Sequence, residues 1–314
     1  MDSFLFSLNV TMPVFLTILL GWGLMKAGLF NKPFTDTADK YVFKVALPLL
    51  LFKDIATTNL RQDFQLRFVL FCMVGTTVMF WGVYLLAKRF LKDKTLVGAF
   101  SQAAARGSAA ILGIAFVENI YGNAGLTPLM IVAAVPLFNI YSVLILTLSA
   151  GDHASGRGQL KKACVNVAKN PIILGILAGL PFSLLGIELP AILMKTITSV
   201  GGTATPIALL VVGAGFQTGA ALSKLKPALW AAAVKLVILP LLFLPAAVWM
   251  GFAGSELIAI LIMVGSPTTV TCYIMAKNMG NDAVLSSSVV VLATLCSSVT
   301  LTFWIFLLRY LALI

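Results

Sequence analysis

The chain has 314 residues, of which 60% are hydrophobic and only 11% charged, with a net charge of +11 and a mean hydropathy of +1.02. Soluble domains carry about 25% charged residues, so an ordinary soluble enzyme or binding module is excluded. The apolar residues form long blocks about one bilayer wide, which excludes a β-barrel of short alternating segments; the basic residues lie between the blocks, which excludes a nucleic-acid surface.

Ten membrane spans are predicted, at roughly 4–25, 40–57, 66–87, 95–118, 126–148, 169–186, 190–217, 228–250, 256–276 and 283–311. The first lacks a basic leader and a cleavage site, so it reads as a retained helix rather than a signal peptide. Span two carries Lys44 near its end and Pro48 inside it. Span four holds Arg106-Gly107-Ser108, then Gly113, and ends near Glu118. Residues 150–168 are basic, contain Gly and Ser, and read as a connector; His153 lies in it and reads as solvated. Span seven contains Pro206. Lys235 stands where the apolar part of span eight begins and reads as a residue that snorkels to the interface. Span nine holds Gly265-Ser266-Pro267-Thr268-Thr269 and starts near Glu256. Asp36, Asp39, Asp54 and Asp63 read as loop or boundary residues, so no carboxylate is expected near a span centre, which argues against a cation antiporter built on buried acids. Cys72, Cys164, Cys272 and Cys296 are scattered without metal-like spacing. No Walker loop, metal cluster or nucleophile motif is present, so neither an enzyme nor a cofactor is expected.

A shift of 158 residues brings the chain onto itself. Pro13 and Pro48 fall on Pro171 and Pro206. Gly21, Gly28, Gly107 and Gly122 fall on Gly179, Gly186, Gly265 and Gly280; Ser108 falls on Ser266 and Asn123 on Asn281. Gly and Pro set backbone shape, so the halves repeat a pattern of bends. The organisation expected is a five-span repeat over 1–149, a cytoplasmic connector over 150–168 and a second repeat over 169–314. Five is odd, so the second repeat is inverted. With both termini outside, the inward segments hold fourteen Lys and Arg residues and the outward ones five, while Lys44, Arg106 and Lys235 fall within spans. The fold class is therefore an all-α protein of ten helices in two inverted repeats, in the plasma (inner) membrane.

The repeat pairs the two stretches that hold the best site candidates. Gly107, Gly113 and Gly265 lower the cost of unwinding and Pro267 lacks an amide hydrogen, so spans four and nine are expected to break at mid-membrane. Unwound backbone is tolerated there only where it lines a cavity, and half-helix N-termini then face an anion. Arg106 sits about halfway along an apolar span, at an insertion cost of at least ~2.5 kcal/mol. Its planar fork suits a carboxylate. Arg106, Ser108, Ala109, Ser266, Pro267, Thr268 and Thr269 are the candidate substrate-binding residues. Gly107, Gly113, Gly265 and Pro267 are the candidate breaks or hinges, and Pro48 and Pro206 scaffold kinks. The alternatives are close helix packing at the glycines and a structural Arg106 bonded to carbonyls.

The runs Ala46-Leu47-Pro48-Leu49-Leu50-Leu51-Phe52, Thr205-Pro206-Ile207-Ala208-Leu209-Leu210 with Gly213, and Ser266-Pro267-Thr268 resemble the auxin efflux carrier family, as do Arg106-Gly107, Gly113 and Tyr121-Gly122. The resemblance implies a scaffold of spans one, two, six and seven, a mobile transport domain of spans three to five and eight to ten, crossed broken helices near Ser108, Ala109 and Pro267, and in many members a homodimer. Ser108 stands where many relatives have Asn and Ala115 where many have Pro, and the short connector resembles bacterial permeases rather than plant members. The function expected is secondary transport of a small organic anion, a carboxylate, by an elevator-like alternating-access mechanism. A sodium-coupled symporter of bile-acid-like anions and a non-transporting membrane sensor remain alternatives.

Overall fold

The computed structural model describes residues 2–57, 65–150, 165, 169–216 and 218–314. The connector expected over 150–168, with His153 and Cys164, lies almost wholly outside them, as do Arg61 and Asp63. Among the described residues the regular elements are all helices, apart from one isolated β-bridge.

In chain order, the first half contains α1 (Asp2–Lys26), α2 (Lys32–Tyr41), α3 (Leu47–Ala56), α4 (Leu66–Phe90), α5 (Val97–Ala105), α6 (Ala109–Tyr121) and α7 (Thr127–Ser149). The second contains α8 (Pro171–Leu185), α9 (Ala191–Gly202), α10 (Ala204–Ala214), α11 (Thr218–Ser223), α12 (Leu225–Ala233), α13 (Leu239–Trp249), α14 (Gly254–Gly265), α15 (Thr271–Asn278) and α16 (Ala283–Tyr310). A π-helical turn, Val42–Ala46, joins α2 to α3, and another, Val234–Ile238, joins α12 to α13. Five helical runs are long and apolar enough to cross a bilayer: Leu66–Phe90, Thr127–Ser149, Ala191–Ala214, Leu225–Trp249 and Ala283–Tyr310. The protein is a multi-pass membrane protein.

Local chemistry sets the helix ends. Asn31, Asn170 and Asp282 cap α2, α8 and α16 by accepting from the N–H groups of Phe34, Ile172 and Leu285. Gly122 and Gly186 end α6 and α8 at φ 73° and 66°, a left-handed conformation that needs glycine. Their partners at the 158-residue shift, Gly280 and Gly28, have φ 69° and 77°. Pro48 stands in the first turn of α3, after the π turn, and Pro206 is the third residue of α10, after a one-residue interruption at Thr203.

Two large apolar cores form, with a small satellite of Ala232, Leu236 and Ala293. The larger joins α4–α7 with α12–α14 and α16, through residues such as Phe80, Phe116, Phe138 and Ile262. The smaller joins α1–α3 with α8 and α10, through Val42, Leu47, Ile176 and Val212, and reaches α7, α15 and α16 through Val143, Ile274 and Val290. In the smaller one, α1 packs on α10 and α3 on α8. Gly21 lies against the backbone carbonyl of Leu210, and Gly179 lies 2.8 Å, measured from an added Cβ, from that of Phe52. These are one contact made twice, since both residues of the second pair differ from the first by the same 158 positions.

Candidate functional site

The site starts from two helices that stop inside the protein. The helix α5 ends at Ala105, Arg106 is extended at φ −82° and ψ 122°, and α6 begins at Ala109. The helix α14 ends at Gly265, Ser266 is extended at φ −68° and ψ 153°, and α15 begins at Thr271. Pro267 explains the second break: it has no N–H, and its ring drives the preceding Ser266 out of the helical region. The first break is held open by the second. Gly107 and Thr268 pair as an antiparallel bridge, the Ser108 N–H donates to the Pro267 carbonyl at 2.9 Å, and Thr268 Oγ1 donates to the Ala103 carbonyl at 2.7 Å. Glycine at 107 lets the breaks approach closely: a Cβ there would meet Ser266 Oγ and lie 2.9 Å from Nζ of Lys235, so both side chains would have to shift.

The crossing has two electrostatically different sides. On one lies a cavity of about 620 Å3, lined at its base by Arg106, Gly107, Ser108, Ala109, Thr269 and Thr271 and on its walls by Leu47, Leu51, Val132 and Phe138. It reaches Lys53, Asp54 and Thr57 at the end of α3, and Gly125 and Pro128 between α6 and α7. The starts of α6 and α15 therefore meet this cavity, and N–H groups in a first helical turn lack helical acceptors and carry partial positive charge. On the other side the ends of α5 and α14 meet Lys235.

Arg106 is buried and adds a full charge to the positive side. Its Nη2 donates to Asn139 Oδ1 at 2.7 Å, and its Nη1 to Met275 Sδ at 2.9 Å and to Ser142 Oγ at 3.5 Å. Among the described residues no carboxylate lies within ion-pair distance of it. The guanidinium is thus oriented by neutral groups and keeps its charge uncompensated beside the cavity. Asn139 is oriented in turn by its own Nδ2, which donates to the Val135 carbonyl at 2.9 Å.

The structure brings Arg106, Ser108, Ala109 and Thr269 together at the cavity. Ser266, Pro267 and Thr268 are buried within the crossing instead, where Thr268 and Pro267 bond to the facing break. Gly265 closes α14 against the Pro240 ring, and Gly113 lies inside α6, not at the break, where an added Cβ would be 2.7 Å from Thr127 on α7. One reading of the sequence is corrected. Lys235 does not snorkel: it is fully buried, because the π turn faces it into the crossing, where it donates to the carbonyls of Ala105 and Met263. Asp39, just before the predicted start of span two, is 2% exposed and paired with Lys277 of α15, a partner 238 positions away that no local pattern reveals. Asn139 and Ser142 went unnoticed in the sequence; a lone amide inside an apolar span was the available signal.

Lys277 also pairs with Asp36 at 3.0 Å and lies 5.7 Å from the Tyr273 ring centre. These residues join α2 to α15 beside a second cavity of about 570 Å3, which Lys26, Lys32, Ser287 and Tyr273 also line. The helical run from Lys32 to Thr57 spans about 37 Å at 1.5 Å per residue. Since the first cavity reaches Thr57 and the second Lys32, the two open at opposite ends of that run.

The family model described as "Membrane transport protein" matches residues 6–305. The chain is similar to an "Uncharacterized transporter" of Methanothermobacter thermautotrophicus, 24% identical over 305 residues that cover 96% of this chain and 98% of the relative. It is similar also to a "Putative malonate transporter" of Rhizobium meliloti, 25% identical over 319 residues, covering 96% and 95%. The chain belongs to the membrane transport protein family, the auxin efflux carrier family that its motifs resemble, and is a membrane transporter.

Proposed function

We propose that this protein is a secondary active carrier of small organic anions, with carboxylates as its substrate class. The observation that carries this is Arg106: a buried guanidinium with no carboxylate partner among the described residues, set in a helix break beside a cavity. An anion that enters meets this charge together with the starts of α6 and α15 and the hydroxyls of Ser108, Thr269 and Thr271. The relative named for malonate supports the same class. The wider site, with Ser266, Pro267 and Thr268, supplies the backbone that holds the break open.

The mechanism proposed is alternating access. The repeated glycine conformations and the twice-made contact of α1 on α10 and α8 on α3 support ten spans in two inverted repeats, 1–149 and 169–314. The packing of α1 on α10 and of α3 on α8 supports a scaffold of spans one, two, six and seven, beside which a transport domain of spans three to five and eight to ten is proposed to move as a unit. The cavities at opposite ends, with Lys277, Asp36 and Asp39 bridging α2 and α15 at one end, support a state open to one side and closed on the other. With both termini outside, as the loop charges imply, the open side is the exterior. Pairing of two copies is part of the proposal, and is tested by crosslinking in nanodiscs.

The test is uptake into proteoliposomes of a labelled carboxylate panel that includes malonate. Saturable uptake by the wild type and its loss in Arg106→Gln is expected. Uptake of amines or neutral solutes in place of carboxylates would contradict the proposal.

A further inference from the structure

Behind the crossing, away from the cavity, lies a second cation that anion binding does not use. Lys235 is fully buried, and among the described residues no carboxylate lies within ion-pair distance of its Nζ. Its ammonium donates to the Ala105 carbonyl at 3.1 Å and to the Met263 carbonyl at 3.2 Å. Ala105 is the last residue of α5, and Met263 lies in the final turn of α14. Carbonyls in a final helical turn have no helical donor, and their dipoles add to a partial negative charge. Two such ends converge on Nζ. The hydroxyl of Ser266 is beside them: it is buried without a hydrogen-bond partner, and a Cβ on Gly107 would meet both it and Nζ.

Carbonyls of unwound helix ends at the centre of a transporter form a donor set for a monovalent cation. Here an ammonium on a four-carbon tether occupies that place. The local fold is built to deliver it. The π turn Val234–Ile238 holds Lys235 facing the crossing. Pro240 deprives the Leu236 carbonyl of its helical donor, and the Trp304 indole N–H supplies one at 2.9 Å.

We infer that the Lys235 ammonium is a tethered cation standing in the monovalent-cation position of the crossing, so that the transporter needs no alkali-metal ion to hold its two broken helices together, and that a small neutral side chain at 235 converts the same oxygens into a Na+ site. This rests on the geometry of the crossing and not on the identity of the anion carried.

The test is thermal unfolding of the purified full chain in choline chloride and in sodium chloride at equal ionic strength, for wild type, Lys235→Ser and Lys235→Met. The wild type is expected to show equal Tm in both salts. Lys235→Ser, which leaves room and adds an oxygen, is expected to unfold at lower temperature in choline and to gain roughly 2–5 °C in sodium. Lys235→Met, which fills the space with an apolar chain, is expected to be destabilised equally in both. If Lys235→Ser cannot be recovered from choline, its folded yield on extraction in sodium is the same readout, and equal loss in both salts overturns the inference. A sodium-dependent Tm in the wild type, or none in a folded Lys235→Ser, overturns it as well. Carboxylate-dependent stabilisation, measured in choline, is a separate readout, so failure of the Na+ result leaves the proposed anion site to be judged on its own.

Discussion

Arg106 and Lys235 lie on opposite sides of one crossing, and the backbone treats them differently. Arg106 leaves α5 at its last turn, faces a cavity and is held by an amide, a thioether and a hydroxyl. Lys235 comes from a neighbouring helix, is fully buried, lines neither of the two cavities and is held by two main-chain carbonyls. The starts of α6 and α15 meet the cavity beside the first, and the ends of α5 and α14 meet the second. The same crossing of two broken helices thus produces a positive face that is open to a ligand and a negative face already occupied by a side chain. A broken-helix crossing has both polarities by construction, and the position of each cation decides which one remains free for a ligand.

The largest effect expected is on both faces at once. Gly107→Val would place a branched side chain against Ser266 and Lys235 and push the breaks apart; a loss of about 1–3 kcal/mol, seen as loss of folded protein on size-exclusion chromatography, is expected. A folded, transporting Gly107→Val would show that the two faces are not joined at this point.

Asn139→Asp acts on the open face only. It places a carboxylate where an amide oxygen now lies 2.7 Å from Arg106, so the guanidinium is satisfied internally. Anion affinity, read by titration calorimetry, is expected to fall about 10–100-fold while the fold is kept. Asn139→Ala removes orientation without adding charge, and a smaller loss, about 3–10-fold, is expected from one missing hydrogen bond to a charged group. If both substitutions weaken binding equally, Arg106 acts by position alone and not by uncompensated charge.

The smallest effect expected concerns the far end. Lys277 and Asp36 are 31% and 42% exposed, so their pair contributes modestly to stability, about 1 kcal/mol or less. Lys277→Ala is instead expected to raise the rate at which a thiol reagent reaches a cysteine at Thr269 from the end that carries Lys26, about threefold or more, in a background without the native cysteines. An unchanged rate would show that the closure at that end rests on apolar packing.

Much of the crossing was legible in the sequence because Gly and Pro act on the backbone directly. Pro267 forces its neighbour to be extended wherever it stands, and the matched glycines at 28 and 186, and at 122 and 280, share a left-handed conformation. Arg106 was legible because a charge at mid-span is costly in any fold. What was not legible depended on rotation and on distance. Lys235 is near the start of an apolar block, and only the turn of its helix decides between lipid headgroups and the protein interior. Asp39 and Lys277 belong to different halves, and neither looks unusual in its own segment. Gly113 shares its residue type with Gly107 but serves contact with α7, which composition alone does not separate from a break.

The most direct test is titration of purified wild type and Arg106→Gln with a dicarboxylate, malonate, followed by thermal unfolding. The wild type is expected to gain stability with saturable dependence on malonate. Arg106→Gln is expected to unfold within a few degrees of the unliganded wild type, roughly 2–4 °C per kcal/mol lost, and to show no gain. An equal malonate-dependent gain in both proteins would contradict the central claim that the Arg106 charge recognises the transported anion.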